Sequence, residues 1–492
     1  MMSTLSALLV GARRLVHRQY PRSLFSSLPE TVASIAGQPT CETHPELLAE
    51  KEVQPGITNE EFCARRQRFA DQLAPGSLAI LGAGPTQYMS GIIPYPYRPN
   101  SCFQYLTGII QPDTLATIDS SGRFVVYTPD ESEFRNTWTG PLMDTRAAME
   151  VFGADDAYVV SEIGTRLKRA IQSSRALYLD LNASAAHLAT ADHWRLALQV
   201  MQELQDEARP VHGFNSIIHR MRWKKSAAEV ALMRTSAQVA AEAMTACMVA
   251  TGQRSSRSAR SEHDVSALFE YECRVRGAQR MAYPPVVAAG ADATTIHYSR
   301  NDKVLRPESR DLLLVDAGCE YYGYCSDVTR TWPVSGRFEG AHRDVYQAVY
   351  ETHAALLRSV RPGVTLRQLH HMSVDLLRDA LRSLGLSGHA MIGPSANDYR
   401  IFYPHSVGHW LGLDTHDSAS VSHDLPLDDG VCLTIEPGLY IPDEDRYGHF
   451  RGIGVRIEDD VLFVADGREG GAEVLSATCP TSVEEIESLL NL

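Results

Sequence analysis

The stretch Leu312–Pro333, LLLVDAGCEYYGYCSDVTRTWP, constrains the fold most, because it places two aspartates in sequence that otherwise predicts buried strands. A buried carboxylate is unfavourable unless a positive group meets it. Eleven residues of extended chain would hold Asp316 and Asp327 roughly 36 Å apart. Gly318 and Gly323 instead allow a hairpin that brings the two carboxylates together. This stretch alone is equally compatible with two aspartates that cap turns.

The C-terminal part of the chain supplies three further candidate ligands, in separate motifs: His409, Glu436 and Glu458. In VCLTIEP, apolar residues alternate with Thr434 and Glu436, and GIGVRIE alternates in the same way, which is typical of strands. Each strand therefore directs one carboxylate to the face that its apolar neighbours avoid. Four carboxylates and one imidazole carry a charge of about −4, which two divalent cations would neutralise. The sequence therefore predicts a dinuclear metal site.

These five residues resemble, in kind and in order, the metal ligands of the pita-bread metallopeptidases, the group that includes aminopeptidase P, prolidase and methionine aminopeptidase. The motifs GCE…SDVTRTWPVSGRF, HSVGHWLGLDTHD, TIEPGLYIP and RGIGVRIEDD are most similar to mitochondrial-type aminopeptidase P. The resemblance extends over most of the chain from about Gly37 onward. It implies an α/β (α+β) protein, in which a creatinase-like, non-catalytic N-terminal α/β domain precedes a pita-bread catalytic domain with pseudo-twofold halves.

A chain of 492 residues is too long for one ordinary domain. We expect a mitochondrial transit peptide at 1–29, an extended surface segment at 30–56, the N-terminal domain at 57–213 and the pita-bread domain at 214–492. A capping-box pattern at Thr58–Glu61 predicts a helix through about Leu73. Ser226 with Glu229 predicts a long helix that opens the catalytic half. A faint repeat follows, with helix starts predicted at Ser261/Asp264 and at Thr365/Gln368, and it fits two related halves.

The first 29 residues are rich in arginine and serine and contain no acidic residue. This composition is typical of a mitochondrial or chloroplast transit peptide, and a disordered tail is the alternative. We expect a mitochondrial protein. Without its four arginines, the formal charge of −14 becomes about −18, which argues against nucleic acid as a partner. No run approaches 18 apolar residues, so we expect no membrane insertion.

Nine cysteines, an odd number without paired spacing, predict a reducing compartment rather than a disulfide framework. Cys319 and Cys325 flank the hairpin, and we interpret them as ordinary small buried residues. Cys102 lies in RPNSCFQYLTG, the motif that carries the resemblance in the N-terminal domain. Many relatives have an acidic residue there, which argues against a substrate role for this position. The basic run HRMRWKK, His219–Lys225, is interpreted as a solvated entry to the following helix.

Oxygen-rich coordination with one histidine and no thiolate favours Mn²⁺ over a tetrahedral zinc site, although cobalt or zinc could occupy it in vitro. The resemblance implies that Asp327 and Glu458 bridge two ions. It implies that Asp316 completes one metal site and that His409 with Glu436 completes the other. It also implies that Glu436 handles the proton of the attacking water.

The resemblance assigns further roles to residues near these motifs. Three histidines would contact the substrate, orient it and stabilise the tetrahedral intermediate: His297, His405 and His416. A lone histidine beside a motif is more often a structural hydrogen-bonding residue. Tyr283 is expected on a pocket wall, where simple packing explains it nearly as well. Arg456 shares a predicted strand face with Glu458 and is expected to orient that carboxylate.

The resulting hypothesis is an aminopeptidase that hydrolyses the bond between an N-terminal residue and a following proline, by attack of a metal-bridging hydroxide. The resemblance also permits trimming of the N-termini of imported mitochondrial proteins. A prolidase acting on Xaa-Pro dipeptides and a non-catalytic pita-bread binding module are the alternatives. Trp410, after the ligand histidine, favours aminopeptidase P over prolidase, and the five retained ligands disfavour a binding module. The expected partners are peptides with proline at the second position and, in a homodimer, a second copy of the chain.

Overall fold

The computed structural model describes residues 36–181, 192–203, 209–252, 259–386, 398–465 and 471–491. The transit peptide expected at 1–29 lies outside these residues. Residues 36–56 form turns and end in the strand β1 (Glu52–Gln54), which pairs antiparallel with β2 (Ile57–Thr58). Leu48 and Val53 are buried there, so this segment packs onto the N-terminal domain.

The N-terminal domain is built on a six-stranded mixed sheet with the strand order β10-β9-β3-β6-β7-β8. The strands that follow β2 are β3 (Ser77–Gly82), β4 (Tyr88–Ser90), β5 (Ile93–Pro94), β6 (Leu115–Asp119), β7 (Phe124–Thr128), β8 (Asp156–Val159), β9 (Ala176–Leu179) and β10 (Val211–Gly213). β4 and β5 form a separate hairpin outside the sheet. β3 pairs parallel with β9 and antiparallel with β6, which makes the sheet mixed.

Within the described residues, the helices that accompany this sheet are α1 (Asn59–Ala70), α2 (Ser101–Thr107), α3 (Glu133–Thr139), α4 (Thr145–Glu150), α5 (Ile163–Ser173) and α6 (Asp192–Glu203). The hydroxyl of Thr58 caps α1 by accepting from the backbone N–H of Glu61 at 3.3 Å, as the sequence predicts. The helix ends at Ala70, three residues before the predicted end at Leu73. In the part of the chain described above, no helix combines the length and the apolar character that crossing a bilayer requires.

The C-terminal half contains two successive helix-and-strand units, as the faint sequence repeat predicts. The first contains α7 (Asn215–Trp223), α8 (Ala227–Thr251), α9 (Glu262–Val275), β11 (Arg280–Met281), β12 (Val286–Ala289), β13 (Leu312–Ala317), β14 (Cys319–Tyr321), β15 (Tyr324–Cys325) and β16 (Val328–Pro333). The second contains α10 (Gly340–Ser359), α11 (Leu366–Ser383), β17 (Cys432–Ile435), β18 (Gly438–Tyr440), β19 (Gly454–Arg456), β20 (Asp459–Phe463) and β21 (Ala472–Val474), and α12 (Val483–Leu490) follows it. Complete capping boxes start α8 and α11, as predicted, and Ser261 caps α9.

One hydrophobic core lies between the helices and the strands that carry the candidate ligands. Met244 on α8, Phe269 on α9 and Leu313 on β13 are buried in it, together with Val455 on β19. Trp332 on β16 is also buried there, and its Nε1 donates to Thr251 Oγ1 at 2.8 Å. The helices therefore cover the backs of the strands from both units and leave their polar faces directed at each other.

The interpretation of His219–Lys225 as a solvated helix entry is wrong for Arg222 and Lys225, whereas Arg220 and Lys224 are exposed. Arg222 and Lys225 are only 2% and 8% exposed, and both pair with the carboxylate of Asp417. Trp223 packs edge-on against Trp410 at a ring distance of 5.6 Å. The run therefore packs against the segment that follows His409, and the charges of Arg222 and Lys225 are neutralised inside the protein.

The cysteines agree with the interpretation made from their spacing. All nine are free thiols, and Cys319, Cys325 and Cys102 are buried. Their environments are those of small core residues, and Arg222 Nη1 donates to Cys102 Sγ at 3.5 Å.

Candidate metal centre

The hairpin predicted between Asp316 and Asp327 is present. β13 pairs antiparallel with β16, with Asp316 opposite Thr329. The reversal needs Gly318, because a Cβ at that position would lie 1.8 Å from the carbonyl oxygen of Ser326. The two aspartates consequently come together, and the hydroxyl oxygen of Tyr283 lies 2.6 Å from Asp316 Oδ1 and 2.5 Å from Asp327 Oδ1. Tyr283 thus contacts the carboxylate cluster itself.

His409 and Glu436 enter from the second unit on two adjacent backbone segments. The Thr434 N–H donates to the His409 carbonyl at 2.9 Å, and the His409 N–H donates to Thr434 Oγ1 at 3.1 Å. His409 Nδ1 lies 3.2 Å from the Trp410 carbonyl oxygen, so this nitrogen carries the proton. Its Nε2 therefore faces the cluster, 3.3 Å from Asp327 Oδ2 and 3.6 Å from Glu436 Oε1.

Glu458 joins the two units. Its backbone N–H donates to the Thr329 carbonyl at 3.1 Å, and Thr329 Oγ1 donates to Glu458 Oε2 at 2.6 Å. One potential ligand atom from each of Asp327, His409 and Glu458 lies within 4.8 Å of the others. This spacing fits donors that surround a common metal ion.

The charges of this cluster are unbalanced. Burial raises the pKa of Glu436 to about 7, and it raises the pKa values of Asp316 and Glu458 above their usual range. Burial alone would lower the pKa of His409, but its hydrogen bond to Asp327 and the charge of Glu436 raise it to about 9. Carboxylates crowded out of water are stabilised by cations. The donor set of four carboxylates and one imidazole therefore fits hard divalent ions.

Arg456 was expected to orient Glu458, but its direct carboxylate partner is Asp316. Arg456 donates to Asp316 Oδ2 through Nη2, to Tyr440 Oη at 2.7 Å and to Thr329 Oγ1 at 3.0 Å. It reaches Glu458 only through Thr329. The reason is that β19 ends at Arg456, and the chain then crosses to β16, so Glu458 no longer shares the strand face of Arg456.

Several residues that support the cluster were missed by the sequence reasoning. The carboxylate of Asp460 accepts the backbone N–H of Asp327, with its two oxygens at 3.1 and 3.2 Å. Thr434 Oγ1 lies 3.3 Å from Glu436 Oε1. Asp460 follows Glu458 by two positions in RIEDD, so the period-two pattern of a strand could have found it. The roles of Thr329 and Tyr440 depend on contacts between distant strands and left no local pattern.

Two of the three candidate substrate histidines, His405 and His416, contact residues of the cluster. The rings of His416 and His409 meet edge-on at 4.4 Å, and His416 is exposed. His405 Nε2 lies 2.8 Å from Tyr440 Oη, and burial lowers the pKa of His405 to about 3, so its ring is neutral. His297 is exposed and contributes, after burial and nearer charges, to the low pKa values of His405 and His416. The fold therefore places His405 and His416 beside the candidate ligands.

Comparison with known proteins identifies the family. The model of metallopeptidase family M24 matches residues 231–465, and that of the aminopeptidase P N-terminal domain matches residues 62–178. The mitochondrial intermediate cleaving peptidase 55 of Arabidopsis thaliana is 38% identical over 486 residues, which cover 98% of this chain and 93% of that protein. The chain belongs to metallopeptidase family M24. Human Xaa-Pro aminopeptidase 3 is 33% identical over 471 residues, which cover 92% of this chain and 90% of that protein.

A solved structure extends this result to the fold. The aminopeptidase PepP of Pseudomonas aeruginosa superimposes with a TM-score of 0.78 at 32% identity, covering 88% of this chain and 98% of that one. The predicted family and the predicted combination of an N-terminal domain with a pita-bread domain are therefore confirmed. As an M24 metallopeptidase, this chain uses divalent metal ions for catalysis.

Proposed function

We propose that this M24 metallopeptidase is an aminopeptidase that removes the residue preceding a proline from the N-terminus of a peptide. The observation that carries the proposal is the buried cluster of Asp327, His409 and Glu458, whose ligand atoms lie within 4.8 Å of one another. The preference for proline is proposed from relatives named Xaa-Pro aminopeptidase, whose similarity extends over 92% and 88% of this chain.

In this proposal the chain holds two divalent ions, most suitably Mn²⁺, because the donors are mainly oxygen atoms. Asp327 and Glu458 would be shared by the two ions, Asp316 would help to hold one of them, and His409 with Glu436 would help to hold the other. The raised pKa values of the buried carboxyls support this arrangement, because burial makes the charged form of each group unfavourable and a bound cation would stabilise it. Once bound, such ions lower the pKa of a water and polarise the scissile carbonyl.

The side chains around the ions divide the remaining work. Glu436, which also holds one ion in this proposal, takes the proton of the attacking water. His405 orients the substrate through the face of its neutral ring, which the Ser406 carbonyl and Tyr440 Oη hold in place. His297 and His416, exposed beside the cluster, donate to the oxyanion of the tetrahedral intermediate. Arg456 fixes Asp316.

The enzyme is proposed to act in mitochondria on the N-termini of imported proteins. The arginine-rich, acid-free composition of residues 1–29 supports this location, as do relatives named mitochondrial intermediate cleaving peptidase. A fusion of these residues to a reporter tests it, with import expected. Replacing all four arginines by glutamine should abolish import, and cytosolic residence of the original fusion would contradict the location.

A homodimer is proposed from an exposed apolar hairpin. On β4, β5 and the adjoining turn, large apolar side chains are between 53% and 87% exposed: Tyr88, Met89, Ile92, Ile93 and Tyr95. Contiguous apolar patches of this kind are typical of protein interfaces. Light scattering should give a dimer for the unaltered protein and a monomer for the double variant Ile92→Asp, Ile93→Asp. A monomer in both would contradict the proposal.

Peptide assays in the presence of Mn²⁺ test the activity. Hydrolysis of Xaa-Pro-Xaa tripeptides should greatly exceed that of Xaa-Pro dipeptides, and tripeptides without proline at the second position should resist cleavage. The reverse order for tripeptides and dipeptides would identify a prolidase. Protein that binds two ions yet cleaves neither substrate would be a binding module.

A further inference from the structure

Arg98, a residue of the N-terminal domain, contacts two segments of the catalytic half at once. Its Nε donates to Glu320 Oε1 at 2.5 Å. Its Nη2 donates to the carbonyl oxygen of Leu413 at 2.6 Å and to Asp414 Oδ1 at 3.1 Å. Because these bonds leave one planar guanidinium, they fix the distance between the two segments.

The first segment is the hairpin tip that connects the two candidate aspartate ligands. Glu320 lies on β14, between Asp316 and Asp327, and its side chain is only 1% exposed. It also accepts from Arg280 Nη1 at 2.6 Å, while Arg280 Nη2 donates to the Tyr97 carbonyl at 2.7 Å. A buried carboxylate held by two arginines has one position, and that position is set partly by the N-terminal domain.

The second segment is the loop between His409 and His416. Asp414 accepts from Ser101 Oγ and from Arg222 Nη2, both at 2.6 Å. Arg222 also pairs with Asp417, the residue that directly follows His416. Burial raises the pKa of Asp414, but the charges of Arg222 and Arg98 outweigh it and hold the pKa below its usual range, so the carboxylate stays charged.

We propose that Arg98 is a positioning residue for catalysis, through which the N-terminal domain sets the place of His416 relative to Asp316 and Asp327. This inference rests on the peptidase activity proposed above. In the RPNSC motif, Arg98 and Ser101 then make the contacts to the C-terminal half that matter for catalysis, and Cys102 does not. The expected kinetic effect follows from geometry, since misplacing a catalytic group by about 1 Å costs about 10²-fold in rate.

The test compares Arg98→Met and Arg98→Lys with the unaltered holoenzyme. Arg98→Met removes every hydrogen bond that Arg98 donates to Glu320, Leu413 and Asp414. Arg98→Lys keeps the positive charge but cannot contact both segments through one planar group. The controls are Arg234→Met, which breaks an exposed two-point pair with Glu473, and Gln104→Ala, which removes a 3.1 Å interdomain bond to the Tyr322 carbonyl. Bound metal, kcat, KM and hydrogen exchange of the segment 411–418 are measured for each.

Arg98→Met should lower kcat by about 10²-fold with little change in KM, because the lost placement matters most in the transition state. It should keep both ions and exchange faster at 411–418, and Arg98→Lys should restore only part of kcat. The controls should stay within about twofold of the unaltered protein. Unchanged kcat and exchange in Arg98→Met, or loss of its ions, would overturn the inference. An unaltered holoenzyme without peptidase activity would instead refute the proposed function. Faster hydrogen exchange of 411–418 in Arg98→Met would still show that Arg98 holds this segment in place.

Discussion

The backbone of Gly408 lies so close to Thr434 that a Cβ at position 408 would be 1.9 Å from the Thr434 carbonyl oxygen. Gly318 approaches the Ser326 carbonyl in the same way, at 1.8 Å. Each glycine thus stands beside a candidate ligand, one in each unit of the catalytic half. In both units, therefore, two ligand-bearing segments meet at a spacing that only glycine permits.

The first prediction concerns this close approach. Gly408→Ala should force the segments of His409 and Thr434 apart, lowering stability by about 1–3 kcal/mol as overpacking does and weakening metal binding. Calorimetry and metal titration measure both effects. Gly164→Ala is the matched control, because a Cβ there meets nothing within 4 Å and α5 gains a better helix former. Metal affinity unchanged by Gly408→Ala would contradict the proposed geometry.

The second prediction concerns the two bridging carboxylates. Chelation should abolish peptidase activity, and added Mn²⁺ should restore it. Asp327→Asn and Glu458→Gln should each lose both ions and nearly all activity, since each side chain is proposed to serve both sites. Metal analysis beside tripeptide kinetics measures this, with the exposed Asp443→Asn as control. Full activity of the stripped protein would exclude a two-metal mechanism.

The third prediction separates substrate contacts from metal ligands. His297→Ala and His416→Ala should keep both ions and lose about 10²–10³ of kcat/KM each, as preorganised donors do. His409→Ala should lose metal together with activity. The control is His263→Ala, an exposed histidine on α9. An empty metal site in His416→Ala would reverse its assignment.

The fourth prediction concerns pH. In the metal-free protein, burial raises the pKa of Glu436 from 4.5 to about 7, so the native state binds more protons than the unfolded state between these values. The contribution of Glu436 to stability is therefore lost as pH rises through about 7. Bound ions remove this loss by neutralising the carboxylate. The Tm of metal-loaded protein minus that of stripped protein should consequently grow by several degrees from pH 5 to pH 7.5.

Glu436→Gln provides the comparison for this pH series. Its side chain does not titrate, so between pH 5 and pH 7.5 the Tm of the stripped variant should fall less than the Tm of the stripped unaltered protein. A Tm difference that is constant, or that shrinks as pH rises, would show that Glu436 does not carry the titration.

The parts of the structure that could be predicted were the turns and helix starts, which depend on a few residues adjacent in the sequence. Two apolar runs separated by Gly318 and Gly323 predicted the Asp316–Asp327 hairpin, and capping boxes predicted the starts of long helices. The partner of Arg456 was missed because the chain leaves β19 immediately after it. The buried state of Arg222 was missed because its partner Asp417 lies 195 residues away. Pairing between distant segments depends on the packed fold, and no local pattern encodes it.

Thr329 and Glu458, joined by a 2.6 Å hydrogen bond, are 129 residues apart in the chain. Closing so long a loop costs entropy that only the assembled core repays, so the proposed metal site forms late in folding. Metal capture is then coupled to completion of the fold. A chain that folds after the proposed import would bind its ions in the compartment where folding is completed. The supply of manganese inside the organelle, rather than the affinity order of the metals, would decide which ion the enzyme carries.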